Sequence, residues 1–346
     1  MKWWRIWQKT TLKEPNHSVD IGISVIIPYR NEVDNLPSLV DSLSRIHYPN
    51  WEVILVNDHS TDGGVEKLKS LIRQYPLNAN LIDSPREGKK EALRCGVAHS
   101  NYDIIVTTDA DCMFHSEWLN VMAGQMIHLK ADMLIGPVGL QTEDNLLHRF
   151  QLIDMVALQL SGGAAAMADN AIMCNGANLM IKKSLHEQAN LIDEVASGDD
   201  MFLLEWMKEK KYIVAFVSSP KAIVSTYPAS DLHDFLQQRS RWAAKAKRYK
   251  DRCIIVTGAI VSSASALILL NAVLGVFSLK MLVLSGILVL IKSIVDFLLL
   301  ISGRDFFTYK IKFGELLLWQ LIYPLYVLTV LFYPLMFNVN WKERKV

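Results

Sequence analysis

Between residues 253 and 337 the chain carries three apolar runs: CIIVTGAIVSSASALILLNAVLGVF, MLVLSGILVLIKSIVDFLLLI and ELLLWQLIYPLYVLTVLFYPLMF. Each is close to the ~20 residues that cross a bilayer as a helix. A soluble domain would have to bury all three side by side in one core. The chain therefore divides near residue 252 into a part rich in charges and a part built for lipid. Its 346 residues, 51% hydrophobic and 21% charged, leave room for one large or two ordinary domains.

Charges beside the apolar runs set an orientation. KAKRYKDR precedes the first run, which places the N-terminal part in the cytoplasm by the positive-inside rule. The short SLK connection then lies outside and the basic GRDFFTYKIK returns inside. The tail WKERKV would end outside, against the same rule, and Pro324 and Pro334 offer places for the last run to bend or re-enter. Lys292 and Asp296 lie four apart inside the second run and can neutralise each other, a structural ion pair being favoured over a transport relay. At the start, MKWWRIWQKTTLKEP lacks the continuous apolar core and the cleavage site of a signal peptide. Trp3, Trp4 and Trp7 among Lys2, Arg5 and Lys9 suit a membrane interface, with a frayed terminus as the plain alternative.

A net charge of +1 lacks the basic excess of a nucleic-acid binder. Cys95, Cys112, Cys174 and Cys253 are scattered without zinc-ligand or redox-motif spacing, and read as reduced thiols.

Before residue 252, short apolar runs alternate with helical spacing. SVIIP (24–28), EVILV (52–56), NLID (80–83), DIIVTT (103–108) and DMLIG (132–136) read as strands. Leu36, Leu39, Val40, Leu43 and Ile46 mark one helix; Val65, Leu68, Leu71 and Ile72 a second; Ala92, Leu93, Gly96 and Val97 a third. This alternation predicts an α/β fold with a mostly parallel sheet. Ligands in such folds sit beyond the carboxyl ends of strands. The polar clusters YRNE, NDHSTD and DADC fall there, after the first, second and fourth strands. Neither Gly-x-Gly-x-x-Gly nor Gly-x-x-x-x-Gly-Lys-Ser/Thr is present where a dinucleotide dehydrogenase or a nucleotidase needs it.

Asp109 and Asp111 share a face of an extended chain and offer hard oxygens to Mg²⁺ or Mn²⁺, although a solvated strand end has the same pattern. Asp199 and Asp200 open an amphipathic helix with Phe202, Leu203, Trp206 and Met207 inward. Capping explains acids there, and so does a general base. In QQRSRW, guanidinium and indole groups could meet phosphate and a planar ring, or the helix could simply lie on anionic lipid.

Taken in order, IPYRNE, VNDHSTDG, GKKEAL, DAD, GDD and QRSRW resemble the motifs of glycosyltransferase family 2, the inverting GT-A enzymes, from about Ser24 to Trp242. QRSRW fits the Gln-x-x-Arg-Trp signature of the membrane-associated branch, which includes cellulose and hyaluronan synthases and ceramide glucosyltransferases. The resemblance implies a GT-A, Rossmann-like sheet with helices on both faces, followed by a transmembrane region. It also implies roles. Pro28, Arg30, Glu32, Asp58, Lys89 and Asp109 would bind the nucleotide-sugar, Glu32 and Asp58 at uracil and ribose and Lys89 near the phosphates. Asp111, with Asp109, would hold the metal. Asp200 would be the base, with Asp199 where the family usually has Glu. Gln238, Arg241 and Trp242 would close over diphosphate and acceptor, and Asn175, Gly176 and Ala177 would line the acceptor side. Asn178 departs from the pattern, standing where a small residue is often found.

The expected organisation is an interfacial segment 1–20, a catalytic domain 21–250, about three transmembrane helices in 251–338 and a tail 339–346. The expected activity is transfer from a nucleotide-sugar, with UDP as carrier, to a lipid or lipid-linked acceptor at the cytoplasmic membrane face. A processive polysaccharide synthase is the alternative, disfavoured because three helices in one copy are few to enclose a polymer channel. A catalytically inactive nucleotide-sugar-binding module is a third reading, against which stands the presence of every expected carboxylate.

Overall fold

The computed structural model describes residues 2–9, 19–141, 145–189, 199–309, 312–337, 340–341 and 344–345. In chain order the elements are α1 (Lys2–Lys9), β1 (Ile23–Tyr29), α2 (Leu36–Ser44), β2 (Trp51–Asn57), α3 (Gly64–Ile72), β3 (Ala79–Asp83), α4 (Lys89–Ala98) and β4 (Ile104–Thr107). There follow α5 (Trp118–His128), β5 (Met133–Ile135), β6 (Val138–Leu140), α6 (Leu146–Ala166), β7 (Leu179–Lys182), α7 (Lys183–Gln188), α8 (Asp199–Glu209), β8 (Val214–Phe216) and β9 (Val224–Thr226). The chain closes with α9 (Leu232–Ala244), α10 (Arg252–Leu274), α11 (Leu279–Ser302), α12 (Arg304–Phe307), α13 (Phe313–Met336), β10 (Asn340–Trp341) and β11 (Arg344–Lys345). They fall into two compact units: a sheet unit, 10–141 with 165–227, and a helical unit, 1–9 with 142–164 and 228–346.

The sheet unit is the α/β fold expected from the alternation. Its seven strands run β3-β2-β1-β4-β7-β5-β8, parallel except for β7, which is antiparallel to both β4 and β5. All seven residues of β1 are buried, which is why the run ISVIIPY is apolar without alternation. β4 pairs only with Ile23–Ile26, so Pro28 lies past the end of that ladder and its missing N–H takes nothing from it. Leu36, Leu39, Val40 and Leu43 bury one stripe of α2, at the spacing read from the sequence. β7 and the three-residue strands β8 and β9 carry too little pattern to be read in advance.

In the helical unit, α10, α11 and α13 are long and apolar enough to cross a membrane. Their side-chain arrangement is inverted relative to a water-soluble core. The buried positions of α10 are Ser265, Ile268 and Asn271, while Ile255, Val256, Ile260, Leu267 and Leu270 face outward. The Ser285 hydroxyl on α11 donates to the Ile268 carbonyl at 3.0 Å. Small and polar groups inside and large apolar groups outside is the pattern of helices solvated by lipid. Pro324 and Pro334 both lie within the single helix α13. Lys292 does pair with Asp296, and Gln320 of α13 bonds both, to Lys292 at 2.7 Å and to Asp296 at 3.0 Å.

The helices α6, α9 and α1 belong with these spans. Asp154 of α6 and Arg239 of α9 form an ion pair at 2.9 Å with side chains 3% and 4% exposed. The Tyr326 hydroxyl of α13 donates to the same carboxylate at 3.3 Å. Arg239 also lies over the rings of Phe235 and Trp242, at 5.1 and 4.4 Å. Phe150, Phe235 and Tyr326 pack ring to ring around this pair. In α1, Trp7 is buried and its indole N–H donates to the Leu160 carbonyl at 2.8 Å. Lys2, Arg5 and Lys9 of that helix stay exposed.

Candidate functional site

The first two strand-end loops are stitched to each other. Asn31 and His59 take left-handed backbone conformations, with φ 51° and 57°. The Asn31 side-chain carbonyl accepts from Thr61 N at 2.8 Å, and Asp62 accepts from Val33 N at 2.8 Å and from Gly64 N at 2.9 Å. Glu32 accepts from the Asn35 amide at 2.7 Å. Pro28 is buried at the end of β1.

Asp58, 1% exposed, follows β2 and receives the Gly88 N–H at 2.7 Å. Gly88 has φ +122°, a conformation that side chains rarely adopt, so glycine is what allows this N–H to turn toward Asp58. Arg30 donates to the Asp58 carbonyl at 3.1 Å. Burial raises the Asp58 carboxyl above its ordinary range, and the Gly88 N–H and Arg30 pull against that.

The next residue after Gly88, Lys89, opens α4 and forms an ion pair with Asp109, each side chain about a third exposed (32% and 33%). Burial works against the ammonium, but Asp109, with Asp200 and Asp111 behind it, outweighs burial and raises the Lys89 pKa. Asp111 is held differently: its Oδ2 accepts from the Thr226 hydroxyl at 2.8 Å. Burial and the neighbouring Asp109 raise the Asp111 carboxyl, and the Thr226 hydroxyl opposes them. Thr226 is placed by backbone pairing. β9 runs parallel to β6, and Ser225 bridges Met113, with N–H···O bonds of 2.8 and 3.0 Å just beyond the aspartates.

Asp200 stands at the start of α8, as the sequence suggests. Its Oδ2 accepts from Gly176 N at 3.0 Å and its Oδ1 from Met201 N at 2.9 Å. The Thr107 hydroxyl, at the end of β4, donates to the Gly176 carbonyl at 2.8 Å. One short segment thus links the strand before Asp109 to the carboxylate of Asp200. Asn175 caps this segment by accepting from Ala177 N at 3.1 Å. Asn178, where the sequence departs from the family pattern, is fully buried and fully used. It donates to the Pro137 and Ala222 carbonyls at 2.8 Å each and accepts from the Trp118 indole at 3.1 Å. A Cβ on Gly136 would lie 2.2 Å from this amide, so glycine there and asparagine here form one packing unit.

The sheet unit therefore brings together Asp58, Lys89, Asp109, Asp111, Asn175, Gly176, Ala177 and Asp200, beyond the ends of its central strands. The Asp199 side chain lies outside the described residues. Gln238, Arg241 and Trp242 stand on α9, in the helical unit. Thr107 and Thr226 were not legible as site residues, because a hydroxyl closing a short β-rich run carries no signal of its partner.

The donor set fits a divalent ion of the Mg²⁺ or Mn²⁺ kind. Asp109 and Asp111 supply hard oxygens, and burial with the neighbouring Asp109 works against the charge on Asp111. Among the described residues no group of three or more His, Cys, Asp or Glu side chains completes a cage. That suits an ion held by one or two carboxylates plus substrate phosphates.

Residues 24–188 match the family model of Glycosyl transferase family 2. The probable glycosyltransferase YdaM of Bacillus subtilis is 27% identical over 229 residues, 64% of this chain and 54% of that protein. A poly-beta-1,6-N-acetyl-D-glucosamine synthase of Staphylococcus epidermidis is 21% identical, over 68% of this chain and 57% of its own length. An undecaprenyl-phosphate 4-deoxy-4-formamido-L-arabinose transferase of Salmonella choleraesuis is 25% identical, over 51% and 55%. The chain spans about half the length of these curated relatives. Among solved structures, the mannosyltransferase PcManGT from Pyrobaculum calidifontis, in complex with GDP-Man and Mn2+, is similar with a TM-score of 0.60. The match covers 96% of this chain and 93% of that one, at 20% identity. With the sheet order, the strand-end carboxylates and the family match in agreement, residues 24–188 belong to a glycosyltransferase family 2 domain, the sheet has the GT-A fold, and helices able to span a membrane follow.

Proposed function

We propose that this protein is a membrane-bound inverting glycosyltransferase that moves a sugar from a nucleotide-sugar, with UDP as carrier, to a lipid or lipid-linked acceptor at the cytoplasmic face. The observation that carries the reading is the shared placement of two kinds of carboxylate. Asp109 and Asp111 lie beside Lys89, and Asp200 is oriented by the Gly176 N–H. The first group suits a diphosphate with a divalent ion, and the second suits a base.

Each Asp200 oxygen spends one lone pair on a backbone N–H and keeps another for a proton. The acceptor hydroxyl gives its proton to Asp200 while its oxygen bonds to the anomeric carbon. The bond from that carbon to the diphosphate breaks, and single displacement inverts the centre. Lys89 meets the charge that develops on the leaving diphosphate. A divalent ion held by Asp111 and Asp109 supplies further neutralisation when bound. Pro28, Arg30, Glu32 and Asp58 are assigned to the nucleoside end, and Asn175, Gly176 and Ala177 to the acceptor side. Gln238, Arg241 and Trp242 are assigned to diphosphate and acceptor on their motif alone.

A lipid acceptor is favoured by three long apolar helices in the same chain, and by a relative named for undecaprenyl phosphate. A relative named as a polysaccharide synthase keeps the processive reading as the second one. The test is a panel of UDP- and GDP-sugars given to the protein in native lipid, with products identified by mass spectrometry. A single-sugar lipid product supports the first reading. A ladder of long chains supports the second, and hydrolysis or silence with every donor refutes both.

A further inference from the structure

We propose that Lys89 is a tethered counter-ion that keeps Asp109 engaged until a diphosphate arrives, so that a divalent ion enters the site with the nucleotide and not before it. The inference rests on the donor-site reading above and adds to it an order of binding.

Two half-spent carboxylates carry the argument. Asp109 commits Oδ1 to Lys89, and Asp111 commits Oδ2 to Thr226, its Oδ1 accepting only the weak Cys112 thiol at 3.7 Å. No third acidic, histidine or cysteine side chain completes a ligand set among the described residues. A free divalent ion approaching this site meets an ammonium next to one of its two ligands, and like charges close together repel. It would also have to shed water for few protein oxygens, which ions such as Mg²⁺ do reluctantly.

A diphosphate changes both conditions. It gives the ammonium a more highly charged partner, which releases Asp109, and it brings oxygens of its own to the ion. The Lys89 pair is open enough for this exchange, since both side chains are about a third exposed. Its backbone is fixed, because the preceding Gly88 N–H is bonded to Asp58. Only the flexible four-carbon stem has to move. Nucleotide and metal then strengthen each other's binding, and the coupling is reciprocal.

The experiment is Mn²⁺ binding to the full chain in detergent, followed by electron paramagnetic resonance of the free ion and by calorimetry, with UDP, with GDP and without nucleotide. Wild type should bind Mn²⁺ at least about tenfold more tightly with the matching nucleotide than without. Lys89→Gln should bind Mn²⁺ about tenfold more tightly than wild type when no nucleotide is present, and gain little on adding it. Lys89→Arg, which keeps the cation, should hold the nucleotide-free Mn²⁺ affinity near the wild-type value. Equal wild-type affinity with and without nucleotide overturns the proposal and needs no variant to show it. Unchanged nucleotide-free affinity in a folded Lys89→Gln overturns it too. Absence of Mn²⁺ binding to wild type under every condition would instead remove the donor-site reading on which the proposal stands.

Discussion

The two units each contain a cation against an aspartate, and the difference between the pairs is instructive. In the sheet unit, Lys89 and Asp109 are a third exposed, and under the proposed function each gains an alternative partner when a nucleotide-sugar and its metal ion bind. In the helical unit, Asp154 and Arg239 are almost sealed, at 3% and 4%, beneath the rings of Phe235, Trp242 and Tyr326. An open pair contributes little to stability and can be remade when a ligand arrives. A sealed pair cannot lose one member without leaving a buried charge. Changes at the first should therefore alter binding and turnover, and changes at the second should alter folding.

Asp200→Asn should show the largest effect. Transfer falls by about a thousandfold, within the range for loss of a general base, while UDP affinity and the thermal midpoint stay near wild type. A variant that turns over normally would remove Asp200 from the chemistry. Asp154→Asn should have the reverse signature, losing about 3–5 kcal/mol in unfolding measurements in detergent, because Arg239 is left buried and unpaired. Replacing both partners by apolar residues of similar volume should recover most of that loss. If the single variant is as stable as wild type, the contrast between the two pairs fails.

A finer test lies within the sheet unit. Thr226→Val should weaken Mn²⁺ binding in the presence of nucleotide by about tenfold, and Thr226→Ser should restore it, since the hydroxyl orients the carboxylate. An unchanged affinity would make Thr226 a packing residue only. The smallest expected effect is at Asp58. Its carboxyl is raised in the fold by burial, so the ionised form costs stability that the unfolded chain does not pay. Stability should fall as pH rises from the ordinary carboxylate range through the raised value, and then level off. Asp58→Asn should gain slightly at neutral pH, with the gain vanishing in acid. Parallel pH curves for the two proteins would contradict this.

Five strands, the helices α2, α3 and α4 and the three spans were legible because each carries its own period or length. Apolar runs of four to seven residues mark buried strands, and runs near twenty mark helices for lipid. The helix α6 carries no such signal, nor does its place beside the spans, because Asp154 and His148 interrupt its apolar stripe. Asn178 read as a departure from the family pattern, and its three hydrogen bonds make it a support for the turn that carries Gly176.

By itself the sequence determined the α/β alternation, the lipid-facing helices and the carboxylates at strand ends, since each depends on local pattern and on neighbours in the chain. It determined that Asp109 and Asp111 stand two positions apart, on one face of an extended chain, and nothing about what holds either. Only the tertiary structure decided that Lys89 takes the first and Thr226 the second. Those partners stand 20 and 115 residues away. A contact between side chains so far apart is set by sheet order and register, which leave no periodic trace in the chain.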